Sequence, residues 1–289
     1  MNSAASSPAP RESRMNGGMR RGTFLRLTAI AAIAGCGDDL REPRADPGTI
    51  TAMTYNVFRQ GDGERGQNIA DHIASRAPDF AALQEVAEPE ALLERLPARY
   101  ALTQDPVAGI ALLHDDAWLI EDQGSLELGE DDDGWGARAV VWARFSAPGE
   151  GPIYFHSTHW CAPTRSNGDR CDESRQLEYA ERMIELAAEH ASSGPVVIAG
   201  DLNVWDGFED GMPVRHFIDS GLVDVYRTLH PDGPGTTFVG EPPGPGGRLD
   251  YIFSTSPVDV LDAAVDTDAV PPGQGSDHYA VLARLAYAP

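Results

Sequence analysis

Six apolar stretches of the 289-residue chain end on, or lead away from, side chains that bind hard cations or carry protons. "TITAMTYN" ends on Asn56 and "DFAALQE" on Glu85. "IYFHSTH" ends on His159, and "VVIAGDLN" on Asp201 and Asn203. "RLDYIF" carries Asp250, and "GSDHYAV" places Ser276, Asp277 and His278 just ahead of a last apolar run. One ionisable residue at a strand end is common, but six such ends point to a single rim on which the strands converge. The inventory suits hydrolysis of a phosphoester assisted by a hard divalent ion. Asn56, Glu85, Asp201, Asn203 and Asp277 offer the oxygen ligands that Mg²⁺ or Mn²⁺ takes, and Ca²⁺ shares that preference. His159 and His278 offer donors to phosphate oxygens and sites for proton transfer. An attacking water needs a carboxylate or metal to orient it, and the developing charge needs cations and donors. No G-x-S-x-G elbow supports a serine hydrolase, and three cysteines are too few for a thiolate zinc site.

Taken one at a time, several of these residues have plainer uses: Asn56 as a turn cap, Asp250 as a partner for Arg248. His156 lies three residues before His159, so on a strand it faces the other side, in the core or behind the site. His114, His190, His216 and His230 lie in no motif and read as structural. Trp160 and Trp205 follow motif residues and could stack on a base or headgroup, but burial in the core is the reading adopted for both. "GEDDDGW", residues 129–135, has carboxylates for Ca²⁺ without the spacing of a known loop, and reads as a solvated turn.

The elements that must position these groups follow from apolar periodicity. Residues 49–57 and 79–86 read as buried strands, 67–76 as a helix with Ile69, Ala70, Ile73 and Ala74 at helical spacing, and 89–96 as a short helix. Strand candidates follow at 100–103, 109–114, 118–121, 125–128, 137–145 and 152–159, a density that suggests hairpins and meanders. Residues 172–190 form the one long helix, with Leu177, Ala180, Met183, Ile184 and Ala187 on one side. "PVVIAG" follows as a strand, then an amphipathic turn or helix over 213–220, "LVDVY", a Pro- and Gly-rich loop over 231–247 and three more strands. There is no internal repeat and no linker between two cores. Residues 49–289 therefore read as one α/β domain, with two mixed or antiparallel sheets and helices outside. A doubly wound dinucleotide fold is disfavoured, because the first strand ends in "YNVFRQGDGE" and not in a glycine-rich turn.

The motifs "YNV", "LQEV", "STHW", "GDLN", "LDYIF" and "SDH" occur in this order, and by them residues 49–288 resemble the endonuclease/exonuclease/phosphatase superfamily. That group includes deoxyribonuclease I-like nucleases, inositol polyphosphate 5-phosphatases and neutral sphingomyelinases. The resemblance implies a four-layer α/β sandwich of two packed mixed sheets with the active site at one rim. It implies Glu85 as the principal metal ligand with Asn56 beside it, and Asp277 as a further metal or water ligand. Asp201 and Asn203 are implied to orient the attacking water and to hold phosphate or metal. His278 is implied to contact the phosphate, aimed by Asp250. His159 matches the branch with histidine at this point, where it donates to phosphate or leaving group. Arg138 in "GARAVVWARF" sits, on a looser match, where many members place a phosphate-contacting arginine. The implied activity is metal-dependent phosphodiester or phosphomonoester hydrolysis by activated water. Substrates left open are small phosphorylated compounds, nucleic acid, and phospholipid or sphingomyelin. A surface lipoprotein that kept the scaffold for binding alone would be expected to lose the "GDLN" aspartate or the "SDH" histidine, and both are intact.

Composition narrows the substrate. All 22 basic residues are arginine, and against 45 acidic residues they leave a net charge of -23. Such a balance counts against tight binding of nucleic acid or another long polyanion. No long apolar loop suited to bilayer insertion is evident, so a small phosphorylated substrate is the favoured expectation. Residues 1–36 read as an export leader. "MRRGTFLRLTAIAAIAGC" has paired arginines at Arg20 and Arg21, as in a twin-arginine signal, and an apolar run too short to span a bilayer. It closes on "IAGC", which resembles a lipobox with Cys36 as the lipidated residue. Residues 37–48 would be a tether, and the product a monomeric periplasmic or cell-surface lipoprotein. Without the leader, 17 basic and 44 acidic residues leave -27. In an oxidising compartment Cys161 and Cys171 are a disulfide pair candidate, and the segment between them, just after His159, would border the site. The anchor has a direct test: the full chain should partition with membranes and Cys36→Ser should not. A Cys36→Ser protein that stays with the membrane fraction would remove lipidation at this residue.

Overall fold

The computed structural model describes residues 48–59, 63–105, 109–130, 137–163, 171–205, 212–233, 235–239, 247–268 and 275–288. The leader, residues 37–47 of the tether, residues 131–135 of the acidic turn and residues 164–170 between the two cysteines lie outside them.

Runs such as β2 (Phe80–Gln84) and β8 (Val196–Asp201) are buried at every position, which a strand achieves only when layers cover both faces. Two six-stranded sheets supply the layers. The first has the order β11 (Val258–Asp266), β12 (Ala280–Tyr287), β1 (Thr49–Asn56), β2, β4 (Ile110–Asp115) and β3 (Tyr100–Asp105). The second runs β5 (Leu119–Gly129), β6 (Arg138–Ala147), β7 (Glu150–His159), β8, β10 (Asp250–Ser254) and β9 (Val223–Asp224). Each sheet contains one parallel pair, β1 with β2 and β7 with β8, and every other ladder is antiparallel.

A parallel pair needs a crossover, and helices provide both: α1 (Gly63–Arg76) between β1 and β2, α3 (Glu173–Ala191) between β7 and β8. Helix α1 and α2 (Pro89–Arg95) cover the first sheet, with Ile69, Ile73 and Leu92 against Met53, Leu83 and Leu113. Helix α3 and α4 (Met212–Asp219) cover the second, with Met183 and Phe217 against Ile198 and Phe253. Between the sheets, Phe80 stacks on Phe155 at 5.3 Å and packs on Phe145 at 4.7 Å. Burial of each such ring contributes about 1.5–3 kcal/mol. The result is the expected four-layer α/β sandwich.

Several local expectations need correction. The strands read at 118–121 and 125–128 are one edge strand, β5, kinked by register shifts at Ile120/Asp122 and Glu127/Gly129; those bulges hide its continuity in the sequence. In "LVDVY" only Val223 and Asp224 pair as a strand, because the Asp224 side chain accepts from Arg227 N at 3.0 Å and starts α5 (Val225–Leu229). The buried stripe of α3 is Gln176, Tyr179, Ala180, Met183, Leu186, Ala187 and His190, with Leu177 and Ile184 only half-buried at its flank. Cys161 and Cys171 form the expected disulfide, with Cα atoms 5.9 Å apart.

The topology aims the strand ends. Both parallel pairs run toward one rim, where Asn56 pairs with Gln84 and His159 with Asp201. β10 starts at that rim with Asp250 opposite Asp201, and Asp277 and His278 precede β12 there. The β7–β8 pairing leaves no space at Gly200, where a Cβ would fall 2.2 Å from the Thr158 carbonyl oxygen. Gly200→Ala is therefore expected to destabilise the domain by about 3 kcal/mol, read as a lower urea midpoint at unchanged slope. An unchanged midpoint would contradict this packing.

Candidate active site

Asn56 is the joint between the two sheets. Fully buried at the end of β1, it donates from Nδ2 to Glu85 Oε1 at 3.3 Å and to Asp201 Oδ2 at 3.0 Å, while its Oδ1 accepts from Phe58 N at 2.9 Å. Ser276 Oγ donates to the Asn56 carbonyl at 2.5 Å and accepts from His278 N at 3.0 Å, which ties the "SDH" turn to the same strand end. Asp201 Oδ1 accepts from Asn203 N at 2.8 Å, and Asn203 Nδ2 donates to the Trp160 carbonyl at 3.0 Å. Glu85 and Asn203 both have positive φ, 58° and 51°, just past strands β2 and β8. Asparagine tolerates this conformation, but glutamate does so at a cost of about 1–3 kcal/mol, a strain typical of functional positions.

Two histidines approach the same Asp201 oxygen in opposite charge states. His159 Nδ1 lies 3.1 Å from Arg138 Nη1. A guanidinium only donates, so Nδ1 accepts and Nε2 carries the ring proton, 3.5 Å from Asp201 Oδ2. Burial, then the charges of Arg138 and His278, push the His159 pKa well below its ordinary value, so the ring is neutral. His278 Nδ1 meets Asp250 Oδ2 at 2.8 Å, and its Nε2 lies 3.8 Å from Asp201 Oδ2. Burial opposes the charge on His278, but the Asp250 carboxylate and its hydrogen bond outweigh it and raise the pKa to about 10. Asp201 is raised to about 7, mainly by burial and then by the neighbouring Asp250 charge.

Glu85 Oε2, Asp277 Oδ1 and Asp250 Oδ1 are buried oxygens with no hydrogen-bond partner. Burial raises the pKa of both Glu85 and Asp277. Carboxylates desolvated without donors are what a hard cation relieves, so the oxygen-rich set fits Mg²⁺ or Mn²⁺. Asp201, Asp250 and His278 also place ligand-type atoms within 4.8 Å of one another. The protonated His278 and its bond to Asp250 make that trio a proton-holding group more than a cage, which leaves Glu85, Asn56 and Asp277 as the side that could hold the ion.

Most of these residues face a cavity of about 280 Å³, with Asn56 and Asp250 buried behind it. Arg138 and Asp277 line it along with Glu85, His159, Asp201, Asn203 and His278. The catalytic, metal-binding and substrate-binding candidates read from the sequence are thus brought to one rim. His156 points away, as its position on β7 requires, and bonds His190 at 2.9 Å. Trp160 is buried in the core, but Trp205 corrects the expectation: it is half-buried, lies over Gly247 and lines the cavity. Phe58, Thr237 and Phe238 were not legible. Phe238 lines the cavity with its ring 5.0 Å from His278, and Thr237 Oγ1 accepts from Leu249 N at 2.9 Å and Asp250 N at 3.1 Å. Their one signal is the β-prone "TTFV" inside the Pro- and Gly-rich loop.

Residues 53–278 match the sequence model described as the Endonuclease/Exonuclease/phosphatase family. The chain belongs to that family. No curated protein matches the sequence. Solved structures with this fold include a Bacteroides vulgatus member of the endonuclease/exonuclease/phosphatase family, 21% identical with a TM-score of 0.67, over 83% of this chain and 99% of that one. A mannosyl-6-phosphatase from Bacteroides thetaiotaomicron aligns at 22% identity and a TM-score of 0.62, over 82% of this chain and 100% of its own. TDP2 from C. elegans aligns at 17% identity and a TM-score of 0.65, over 83% and 75%.

The geometry of the candidate site predicts a titration. Asp250→Asn should drop the His278 pKa from about 10 toward its ordinary 6.5, followed by imidazole NMR. The folded value lies above the unfolded one, so the pair's stabilisation is complete below the unfolded pKa and is lost as pH rises through about 10. Urea unfolding should show that alkaline loss in the parent and not in Asp250→Asn; equal pH profiles would remove the pairing.

Proposed function

We propose that this chain is a divalent-metal-dependent hydrolase of small phosphoesters, acting through attack of water on phosphorus. The observation that carries the reading is the buried hydrogen-bonded set around Asp201, with a neutral and a protonated histidine on one carboxylate oxygen. With a pKa near 7, Asp201 is matched to take a proton from the attacking water, held in place by Asn56 and by the Asn203 backbone. His278, protonated and aimed by Asp250, supports the phosphoryl oxygens as charge develops. The Nε2–H of His159, fixed by Arg138, donates a hydrogen bond to a phosphate oxygen or to the leaving oxygen and stabilises its charge as the bond to phosphorus breaks, without giving up the ring's only proton. Glu85, Asn56 and Asp277 would hold the cation, which when bound supplies Lewis-acid stabilisation of charge on the phosphoryl group.

Size and charge support a small substrate. Arg138 is the one basic residue besides the histidines among the described lining residues, and the chain carries -23 overall. A polyphosphate or a long nucleic acid needs more cations than that. The apolar part of the lining is formed mainly by Phe58, Trp205, Phe238 and Leu249, which suits a single ester with a compact ring or apolar substituent. A fold neighbour named as a mannosyl-6-phosphatase agrees with a small phosphorylated substrate. The leader and Cys36 support an exported, membrane-tethered form of the enzyme.

The test is hydrolysis of bis-p-nitrophenyl phosphate with Mg²⁺ or Mn²⁺, then a panel of sugar phosphates, DNA, inositol phosphates and sphingomyelin. Turnover should vanish with EDTA and return with metal. Asp201→Asn and His278→Ala should each lower kcat by about 100-fold or more. The small esters should exceed DNA and sphingomyelin in kcat/KM. Preference for either macromolecular or lipid substrate would replace the small-substrate reading, and absence of metal-dependent turnover on the whole panel would favour a binding lipoprotein.

A further inference from the structure

Phe58 lines the phosphoester cavity while remaining 40% exposed, and it stands in a backbone conformation that its side chain does not favour. Both Phe58 and the following Arg59 have positive φ, 42° and 51°. A bulky aromatic residue keeps that conformation only where its surroundings hold it.

The hold comes from Arg65, the third residue of α1. Its Nη2 donates to the Phe58 carbonyl, and its guanidinium lies over the Phe58 ring, with Cζ 4.9 Å from the ring centre. Its Nε donates to the Gly275 carbonyl at 2.6 Å, a contact that spans 210 positions of sequence. Gly275 immediately precedes Ser276, whose Oγ bonds the Asn56 carbonyl and His278 N. One side chain thus fastens the ring and the backbone of Phe58 to the turn that carries Asp277 and His278. A planar fork can reach two carbonyls and cover a ring at once, which an ammonium cannot do.

The two ends of this clasp depend on it to different degrees. His278 has attachments of its own, from its N–H to Ser276 Oγ at 3.0 Å and from Nδ1 to Asp250 at 2.8 Å. Phe58 is fixed at its N–H by Asn56 Oδ1 at 2.9 Å, whereas its carbonyl and ring are the parts that Arg65 holds. Loss of Arg65 therefore releases the cavity wall before it releases the reacting groups. We propose that Arg65 is a positioning residue of the phosphoester site. It holds the Phe58 ring in the cavity wall and so sets the grip on the ring or apolar substituent of the ester, without entering the chemical step. This rests on the reading of that cavity as the phosphoester site.

Hydrolysis of bis-p-nitrophenyl phosphate by the full chain gives the kinetic readout. Arg65→Ala should raise KM about fivefold, as for one lost aromatic contact, with kcat within about twofold of the parent. Arg65→Lys keeps the charge and loses the fork, so it should raise KM as Arg65→Ala does. Phe58→Ala should raise KM to a similar extent, and at an exposed position it keeps the test open if Arg65→Ala does not fold. The double variant should be no worse than Phe58→Ala alone, because a residue acting through another has nothing left to hold once that residue is gone. Calorimetric binding of phenylphosphonate and methylphosphonate with Mg²⁺ reads the same contact without turnover. Arg65→Ala should weaken the phenyl compound about fivefold and leave the methyl compound within about twofold. Additive KM effects, a parental KM in Arg65→Lys, or equal loss of both phosphonates would mean that Arg65 acts by charge on the phosphate, and each would overturn the proposal. A fall in kcat at unchanged KM would make Arg65 a support of the "SDH" turn and overturn it too, as would a parent that binds neither phosphonate. A parent that hydrolyses no ester but binds phenylphosphonate with the expected Arg65→Ala penalty would remove the hydrolase reading and keep the role of Arg65.

Discussion

One carboxylate oxygen, Asp201 Oδ2, holds the active rim together. Asn56 Nδ2 from the first sheet reaches it at 3.0 Å, and the imidazoles of His159 and His278 approach it at 3.5 and 3.8 Å. The contact with Asn56 spans 145 residues of sequence and joins strands that belong to different sheets. Such a buried network is stable only when its donors and acceptors are matched, and it is costly when one is removed. The relative position of the two sheets at this edge is therefore coupled to the site's chemistry. Glu85 accepts from the same Asn56 amide, so the positive φ of Glu85 is part of the same constraint.

Environment, more than residue type, divides the work between the histidines. Each is buried within reach of Asp201. Arg138 beside His159 adds to the effect of burial and keeps that ring neutral, while Asp250 beside His278 reverses it and keeps that ring charged. Two like side chains become a neutral donor and a cation beside the same carboxylate oxygen. Groups with pKa values pushed apart in this way mark acid–base assignments in many active sites. Thr237 contributes indirectly: by accepting from the Leu249 and Asp250 amides it fixes the start of β10, and with it the carboxylate that charges His278.

The second sheet serves two surfaces. Its inner face and rim carry His159, Asp201 and Asp250, and its outer face carries His156, Tyr154 and Trp142 under α3. The alternation of side chains along β7 is enough to keep the two sets apart. Residues such as His156 and His190, which look idle from the standpoint of hydrolysis, instead fix the aromatic cluster of Trp142 and Tyr154 on that outer face.

Most strands and both crossover helices were legible in the sequence, because apolar periodicity is a local property of the chain. The polar residues that interrupt apolar runs at Asn56, Glu85, His159 and Asp201 were legible for the same reason: a buried strand that stops on a carboxylate or amide must end where that group has a use. The set of polar residues that meets at the rim followed from those local breaks and from six short motifs. What the tertiary structure alone decided was everything set by approach between distant segments. The merging of two strand candidates into β5, the tilt of the α3 stripe and the short β9 depend on bulges and caps seen only in pairing partners. Trp205 left the core for the cavity wall because Gly247, 42 positions along the chain, offers it a bare backbone to lie on. The charge states of His159 and His278 were also invisible in sequence. A pKa records burial and neighbours, and the fold, not the local run of residues, brings Arg138 to one ring and Asp250 to the other.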